Sequence, residues 1–234
     1  IKVSDLIAQS LVQCGIEHVF MVTGGHSMHL NDSIGREGRL QYICNHHEQA
    51  SAIAAEGYCR AKGKMSAVMV TSGPGGTNTI TGVIGQWLDS IPCIYISGQV
   101  KLETSTTTYP GAGLRQLGDQ EINIVDIVRP ITKYAVMVRD SHKTKYYIEK
   151  AISISKSGRP GPVWIDVPLD IQSSVIAKSS LISYNPEDDE ICFSADELTN
   201  QAHDIIEKIK QAERPVILAG HGIRLSGGVN YFVE

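Results

Sequence analysis

The chain has 234 residues, 42% of them hydrophobic and 20% charged, with a formal net charge of −4. That length suits one large or two small globular domains with a real core, and the acidic balance lacks the basic footprint of a nucleic-acid-binding surface. No apolar run approaches the ~18–20 residues that span a bilayer, no secretory leader precedes the first amphipathic pattern, and Cys14, Cys44, Cys59, Cys93 and Cys192 form no CxxC, which points to buried thiols in a reducing, cytoplasmic setting.

In chain order, Ser4 is placed to cap a first helix whose apolar positions Ile7, Leu11 and Cys14 share one face, with Gly15 as its stop. "VFMV" (19–22) is an all-apolar run of the kind expected for a strand buried on both faces. The turn "TGGHS" and a short helix follow, then strand "LQYIC" (40–44), a helix over 48–62 ended by Gly63, and strand "AVMVT" (67–71). "SGPGGTN" opens a helix running to about Asp89, followed by strand "CIYIS" (93–97) and a polar segment over 98–120 with weak structure signals. A short helix near 122–128, strand "YAVMV" (134–138), a helix near 142–156 and strand "PVWIDV" (162–167) complete the set. Apolar strands alternating with helices predict a doubly wound α/β layer with a mostly parallel sheet flanked by helices. Ligands of such sheets sit beyond the strand carboxyl ends, where "TGGHS", "NHHE", "SGPGGTN" and the 98–120 segment should gather. Residues 171–194, with Pro186, Glu187, Asp188, Asp189 and Glu190 in sequence, read as a surface linker after a first domain over 1–170. A helix over 195–211 and a strand over 215–219 read as the truncated start of a second domain, 195–234, because one βα unit cannot bury its own faces.

The stretch "CNHHEQASA" (44–52) places His46, His47 and Glu48 side by side. A zinc helix needs a second histidine four residues after the first, but Ser51 stands four after His47, and adjacent histidines project about 100° apart; no metal ligand is assigned. Glu48 also suits a plain helix start, with Asn45 as N-cap and the carboxylate at the positive helix end. "SGPGGTN" (72–78) is neither GxGxxG nor a lysine-bearing phosphate loop, so its glycines are expected to let the backbone approach something flat and close. "LAGHGIRLSGG" lacks the third glycine of a dinucleotide fingerprint at Leu225. There is no GxSxG elbow for a serine nucleophile, and Trp87, Trp164 and the methionines read as core.

Four stretches occur together in order: "GIEHVFMVTGG", "NHHEQASAIAAEGYCRAKGK", "TSGPGGTNTITGVIGQWLDSIPCIYISGQV" and "GRPGPVWIDVPLDIQ". With them the chain resembles the amino-terminal pyrimidine-binding domain of the thiamine-diphosphate (ThDP) enzymes of the acetolactate synthase group, and "ERPVILAGHGIRLSGG" resembles the start of that family's central domain. The resemblance implies that Glu48 meets N1′ of the cofactor's pyrimidine, favouring the imino form of the 4′-amino group that takes the thiazolium C2 proton. By the same resemblance Pro74, Gly75 and Asn78 line the pyrimidine, Gly24 and Gly25 flank the reacting carbon, Gln120 is an active-site glutamine, and His47 supports Glu48. Two departures border the substrate side: Val22-Thr23 stands where relatives often carry Tyr-Pro, and His26 stands where a small residue is common. His26 either starts a helix or donates a hydrogen bond to the acceptor's oxygen. No GDG segment occurs in the chain, so Mg²⁺ and the diphosphate are expected on a further domain, normally of another subunit. The implied activity is decarboxylation of a 2-keto acid such as pyruvate and transfer of the acyl carbanion to an acceptor carbonyl, in a homodimer or homotetramer. "GLRQLGDQEINIVDIVRPITKY" resembles a subset linked to modified-sugar and surface-polysaccharide, including lipopolysaccharide, biosynthesis. A simple 2-keto acid decarboxylase and a non-catalytic dimerisation or regulatory module are the alternatives.

Overall fold

The computed structural model describes residues 1–188 and 194–234. Asp189 and Glu190 of the expected linker, and Cys192 with its expected burial, lie outside the described residues. The chain divides into two units, Ile1–Asn185 and Pro186–Glu234.

The first unit runs α1 (Val3–Gln13), β1 (His18–Met21), α2 (Met28–Arg36), β2 (Gln41–Cys44), α3 (Glu48–Lys62), β3 (Ser66–Val70), α4 (Pro74–Thr77), α5 (Ile80–Leu88), β4 (Cys93–Gln99), α6 (Ile124–Val128), β5 (Tyr134–Met137), α7 (Thr144–Lys156), β6 (Val163–Pro168) and α8 (Leu169–Ser173). The strands form one six-stranded sheet in the order β2-β1-β3-β4-β6-β5, and every pairing is parallel. The apolar runs become strands because both faces are covered. Ala67 and Met69 of β3, Ile94 and Ile96 of β4, and Val163, Ile165 and Val167 of β6 pack into one core with α1, α2 and α7. The alternate residues Val68, Val70, Tyr95 and Trp164 pack into a second core with α3, α5 and α6. Tyr95 and Trp164 stack there with ring centroids 5.0 Å apart.

Several expectations are corrected. Lys2, not Ser4, precedes α1, and Ser4 is buried inside its first turn, where Ser33 Oγ donates to Ser4 Oγ (2.8 Å). β2 is exposed along its whole length because it is the sheet edge. Cys44 at its end is exposed and Cys14 half-buried, so not all the thiols are inside. Trp87 is 37% and Met28 51% exposed, whereas Trp164, Met21, Met65 and Met69 are core. The expected single helix over 74–89 is two pieces, α4 and α5. At the start of the expected linker, residues 171–176 are tied to the first unit: Ile171 and Ile176 are buried, Lys2 pairs antiparallel with Val175, and the amino-terminal nitrogen donates to the Ile176 carbonyl (2.7 Å).

In the second unit α9 (Ala195–Gln211) opens on a capping box, Ser194 with Glu197, and α10 (Gly222–Leu225) and α11 (Val229–Val233) follow. The strand expected over 215–219 does not form: Val216 is 91% and Leu218 97% exposed. A strand exists through its ladder, and the described residues offer this one no partner. Among the described residues no helix is long and apolar enough to cross a membrane.

Candidate active site

The carboxyl ends of β1, β2, β3 and β4 deliver four loops to one edge of the parallel sheet. After β3, the chain passes through Thr71 and Ser72 to Gly73, whose φ is +58°, a conformation that suits glycine. Space requires glycine there as well: a Cβ on Gly73 would lie 2.2 Å from the Gln120 carbonyl oxygen. That close approach brings Gln120, itself at φ +53° and exposed, against the turn that starts α4. Pro74 takes the first position of α4, where its missing N–H costs nothing.

Glu48 is the first residue of α3 and is half-buried. Its Oε2 accepts from Asn78 Nδ2 (2.9 Å), and its Oε1 accepts no hydrogen bond among the described residues. Gly75 forms the wall beside it: a Cβ there would strike Thr71 Cγ2 at 2.8 Å and stand 3.8 Å from Glu48 Oε1. The N-cap of α3 is His47, not Asn45. His47 Nδ1 accepts from the Gln49 N–H (3.1 Å), while Asn45 Nδ2 donates to Ser51 Oγ (3.0 Å). As an acceptor, Nδ1 carries no proton, so His47 bears its hydrogen on Nε2. His47 therefore fixes the helix start from which Glu48 projects, and makes no hydrogen bond to Glu48 itself. Among the described residues no group of three or more His, Cys, Asp or Glu is gathered as for a metal ion.

His26 is held at several points. Its N–H donates to Thr71 Oγ1 (3.2 Å), its Nδ1 bonds Ser72 Oγ (2.6 Å), and its carbonyl accepts from Gln172 Nε2 (2.7 Å). Gly98, inside β4, lets that carbonyl in: a Cβ there would stand 2.1 Å from it. Gly24 is equally tight, since its Cβ would lie 2.5 Å from Thr71 Cβ, whereas Gly25 is exposed and its absent Cβ would meet nothing within 4 Å. His26 is the middle residue of a one-turn 3₁₀ helix, Gly25–Ser27, ahead of α2, and is tied to the β3 turn through Thr71 and Ser72.

Behind the loops sits a buried polar network absent from the sequence reading. Asp166 of β6 accepts from Ser97 Oγ (2.6 Å) and from Gln99 Nε2 (3.0 Å), and Trp164 Nε1 donates to Ser97 Oγ (2.8 Å). Gln99 Nε2 also donates to the Ile122 carbonyl (3.0 Å), two residues beyond Gln120. Burial pushes the Asp166 carboxyl up to about 7 against the opposing pull of the Ser97 and Gln99 hydrogen bonds.

The structure thus brings Glu48, Asn78 and Gly75 together and sets Gln120 against Gly73. It ties His26 to the same β3 turn through Thr71 and Ser72, a pair the sequence reading missed. Gly98 carried a signal of its own, since a glycine inside a strand marks a bulge or a close backbone approach.

Residues 1–126 match the family model described as "Thiamine pyrophosphate enzyme, N-terminal TPP binding domain". The chain is similar to the "Acetolactate synthase large subunit" of Lactococcus lactis, 35% identical over 233 residues that cover 98% of this chain and 38% of the relative. It is similar to "Acetolactate synthase isozyme 3 large subunit" of Escherichia coli, 33% identical over 231 residues, 96% of this chain and 38% of the relative. It is also similar to "Acetolactate synthase 3, chloroplastic" of Brassica napus, 33% identical over 242 residues, 100% of this chain and 34% of the relative. The chain thus spans between about a third and two fifths of the length of these relatives. Matched over more than half its length, from the first helix through the β3 turn to the start of α6, the chain belongs to the thiamine pyrophosphate enzymes.

Proposed function

We propose that this chain furnishes the pyrimidine-binding half of a ThDP site in an enzyme that decarboxylates a 2-keto acid, pyruvate first, and joins the acyl carbanion to an acceptor carbonyl. The carrying observation is the half-buried Glu48 with Oε1 open beside Gly75 and Oε2 held by Asn78. The residues fit the cofactor's chemistry: an acceptor oxygen stands at the mouth of a glycine-walled turn, and the Asn78 amide fixes the carboxyl's orientation. In this reading Glu48 holds the pyrimidine N1′, and Pro74, Gly75 and Asn78 pack along the ring. Gly24 and Gly25 flank the reaction, Gln120 borders it, and His26 holds a proton donor toward the acceptor's oxygen. The cofactor, when bound, supplies a carbon nucleophile and an electron sink for decarboxylation. Mg²⁺ enters through a further domain, and the site is completed in a homodimer or homotetramer. The pyrimidine-binding domain runs to Asn185, where the two units divide, and the segment from Ala195 opens a central domain. The setting is cytoplasmic and the pathway builds a modified sugar or surface polysaccharide.

The test is product analysis with the full-length enzyme, ThDP, Mg²⁺ and pyruvate, with and without added carbonyl acceptors. A carbon–carbon ligated product supports the reading. Acetaldehyde alone assigns a simple decarboxylase, and no consumption of any keto acid in a panel sinks it in favour of a non-catalytic module.

A further inference from the structure

The segment 101–120 has no α-helix or strand among its residues, only the 3₁₀ turns Leu102–Thr104, Thr106–Thr108 and Pro110–Ala112. Structureless stretches of that length inside a compact unit are uncommon and tend to be functional, and their backbone donors need partners. Here many of those partners belong to one residue. Glu121 Oε1 accepts from Ser105 Oγ (2.9 Å), the Thr106 N–H (2.5 Å) and Thr106 Oγ1 (2.8 Å). Its Oε2 accepts from the N–H groups of Leu117 (3.0 Å) and Gly118 (3.2 Å). Five donors fill a carboxylate's acceptor capacity of about four lone-pair sites, so no capacity is left for a ligand. The two oxygens face different parts of the loop, one binding 105–106 and the other 117–118, which closes residues 107–116 into a loop. The residue before this clasp is Gln120, in the left-handed region and with its carbonyl against Gly73. A side chain at φ +53° has to be held by its surroundings.

We propose that Glu121 is a positioning residue: its carboxylate folds the 105–118 segment and thereby sets Gln120 at the edge of the site. This rests on the reading of Gln120 as a residue of the ThDP site. Burial works against the charge, but the hydrogen bonds from Thr106, Leu117 and Ser105 outweigh it and hold the carboxyl below its usual range, so the clasp is closed at neutral pH. Glutamine in its place keeps the shape but offers one acceptor oxygen; its amide nitrogen faces donors of 105–106 or of 117–118 and releases that side.

The experiment compares wild type, Glu121→Gln, Gln120→Ala and the double variant as full-length enzymes. Backbone amide exchange is read over 101–121 without substrate, and kcat and KM are read for pyruvate. In Glu121→Gln, exchange at Thr106, or at Leu117 and Gly118, should quicken at least about tenfold, the factor that losing a hydrogen bond to a charged group carries, while peptides containing Glu48 and Asn78 exchange as in wild type. The fall in kcat should be non-additive, so that Glu121→Gln adds little once Gln120 is alanine. Unchanged exchange in Glu121→Gln overturns the clasp whatever the activity. Quickened exchange with wild-type kcat, or with losses that add fully to those of Gln120→Ala, overturns its action through Gln120. A wild-type enzyme that ignores every keto acid overturns the proposed function and with it the role of Gln120, while the exchange result still decides the clasp.

Discussion

Glu48 and Glu121 are both half-buried carboxylates at the same edge of the sheet, and the molecule treats them in opposite ways. Glu121 is saturated by five donors from the loop it folds. Glu48 has one donor, Asn78, and an oxygen left open toward the glycine turn. The difference separates a carboxylate that builds from one that is available to a ligand. Acceptor capacity that the protein leaves unfilled in a partly desolvated place is what a proton-bearing ring nitrogen could use.

The largest effect expected from that contrast is on chemistry alone. In the full-length enzyme, Glu48→Gln should slow C2 proton exchange of bound ThDP, measured by deuterium exchange without substrate, by about 10²–10⁴-fold, the range of a positioned acid–base group. Its effect on stability should stay within about 0.5 kcal/mol, because the variant keeps an oxygen for Asn78 and loses no core contact. His26→Ala should leave C2 exchange near wild type and lower turnover with the true acceptor by at least about tenfold. Wild-type C2 exchange in Glu48→Gln would mean that the open oxygen is incidental. Normal turnover in His26→Ala would leave that residue as a helix start only.

Asp166 sharpens the comparison as a third kind of carboxylate, fully buried between two donors. Its folded value near 7 stands above the unfolded 3.8, so the folded protein holds this proton more tightly than the unfolded chain does. Its contribution to stability is therefore full below about pH 4 and declines as pH rises to about 7. Asp166→Asn carries no such proton, but its amide N–H groups must face either the Gln99 amide or the Ser97 oxygen that already accepts from Trp164. The stability of wild type relative to the variant should fall by about 1 kcal/mol or more between pH 5 and pH 8. Thermal unfolding midpoints of both proteins at the two pH values check it; a constant gap would mean that Asp166 does not titrate in this interval.

The sheet was legible because a parallel strand covered on both faces reads as an apolar run, as 67–70, 93–96 and 163–165 do. The exposure of β2 was not legible, since edge position is a property of strand order, not of local sequence. The strand over 215–219 failed for a related reason: period and β-branching describe a strand's fitness, but the ladder needs a second chain segment. In the site, Glu48 was visible as a helix start, and its proposed role came from resemblance. The restraints on His26 were invisible, because Thr71, Ser72 and Gln172 lie 45, 46 and 146 residues away in sequence. Likewise nothing local distinguishes Glu121 from any acidic residue after a glutamine.

The smallest effect concerns the cap that carries Glu48. His47 has extended backbone (φ −154°, ψ 143°) and its Nδ1 accepts from the Gln49 N–H, satisfying one of the donors orphaned at the start of α3. His47→Ala removes that acceptor and should lower stability by about 1 kcal/mol, the usual worth of an N-cap. Glu48 is the next residue, so fraying of the first turn loosens the geometry that Asn78 meets, and C2 exchange should slow a few-fold, far less than in Glu48→Gln. His47→Asn supplies the side-chain oxygen that good N-caps use and should restore both stability and exchange, whereas His46→Ala, at an exposed position without a hydrogen bond among the described residues, should change neither. Recovery in the asparagine variant separates a capping role from an acid–base role, because asparagine does not titrate. If asparagine restores stability but not exchange, the imidazole acts on Glu48 or the cofactor directly, and the division between residues that build and residues left open would have to be redrawn at His47.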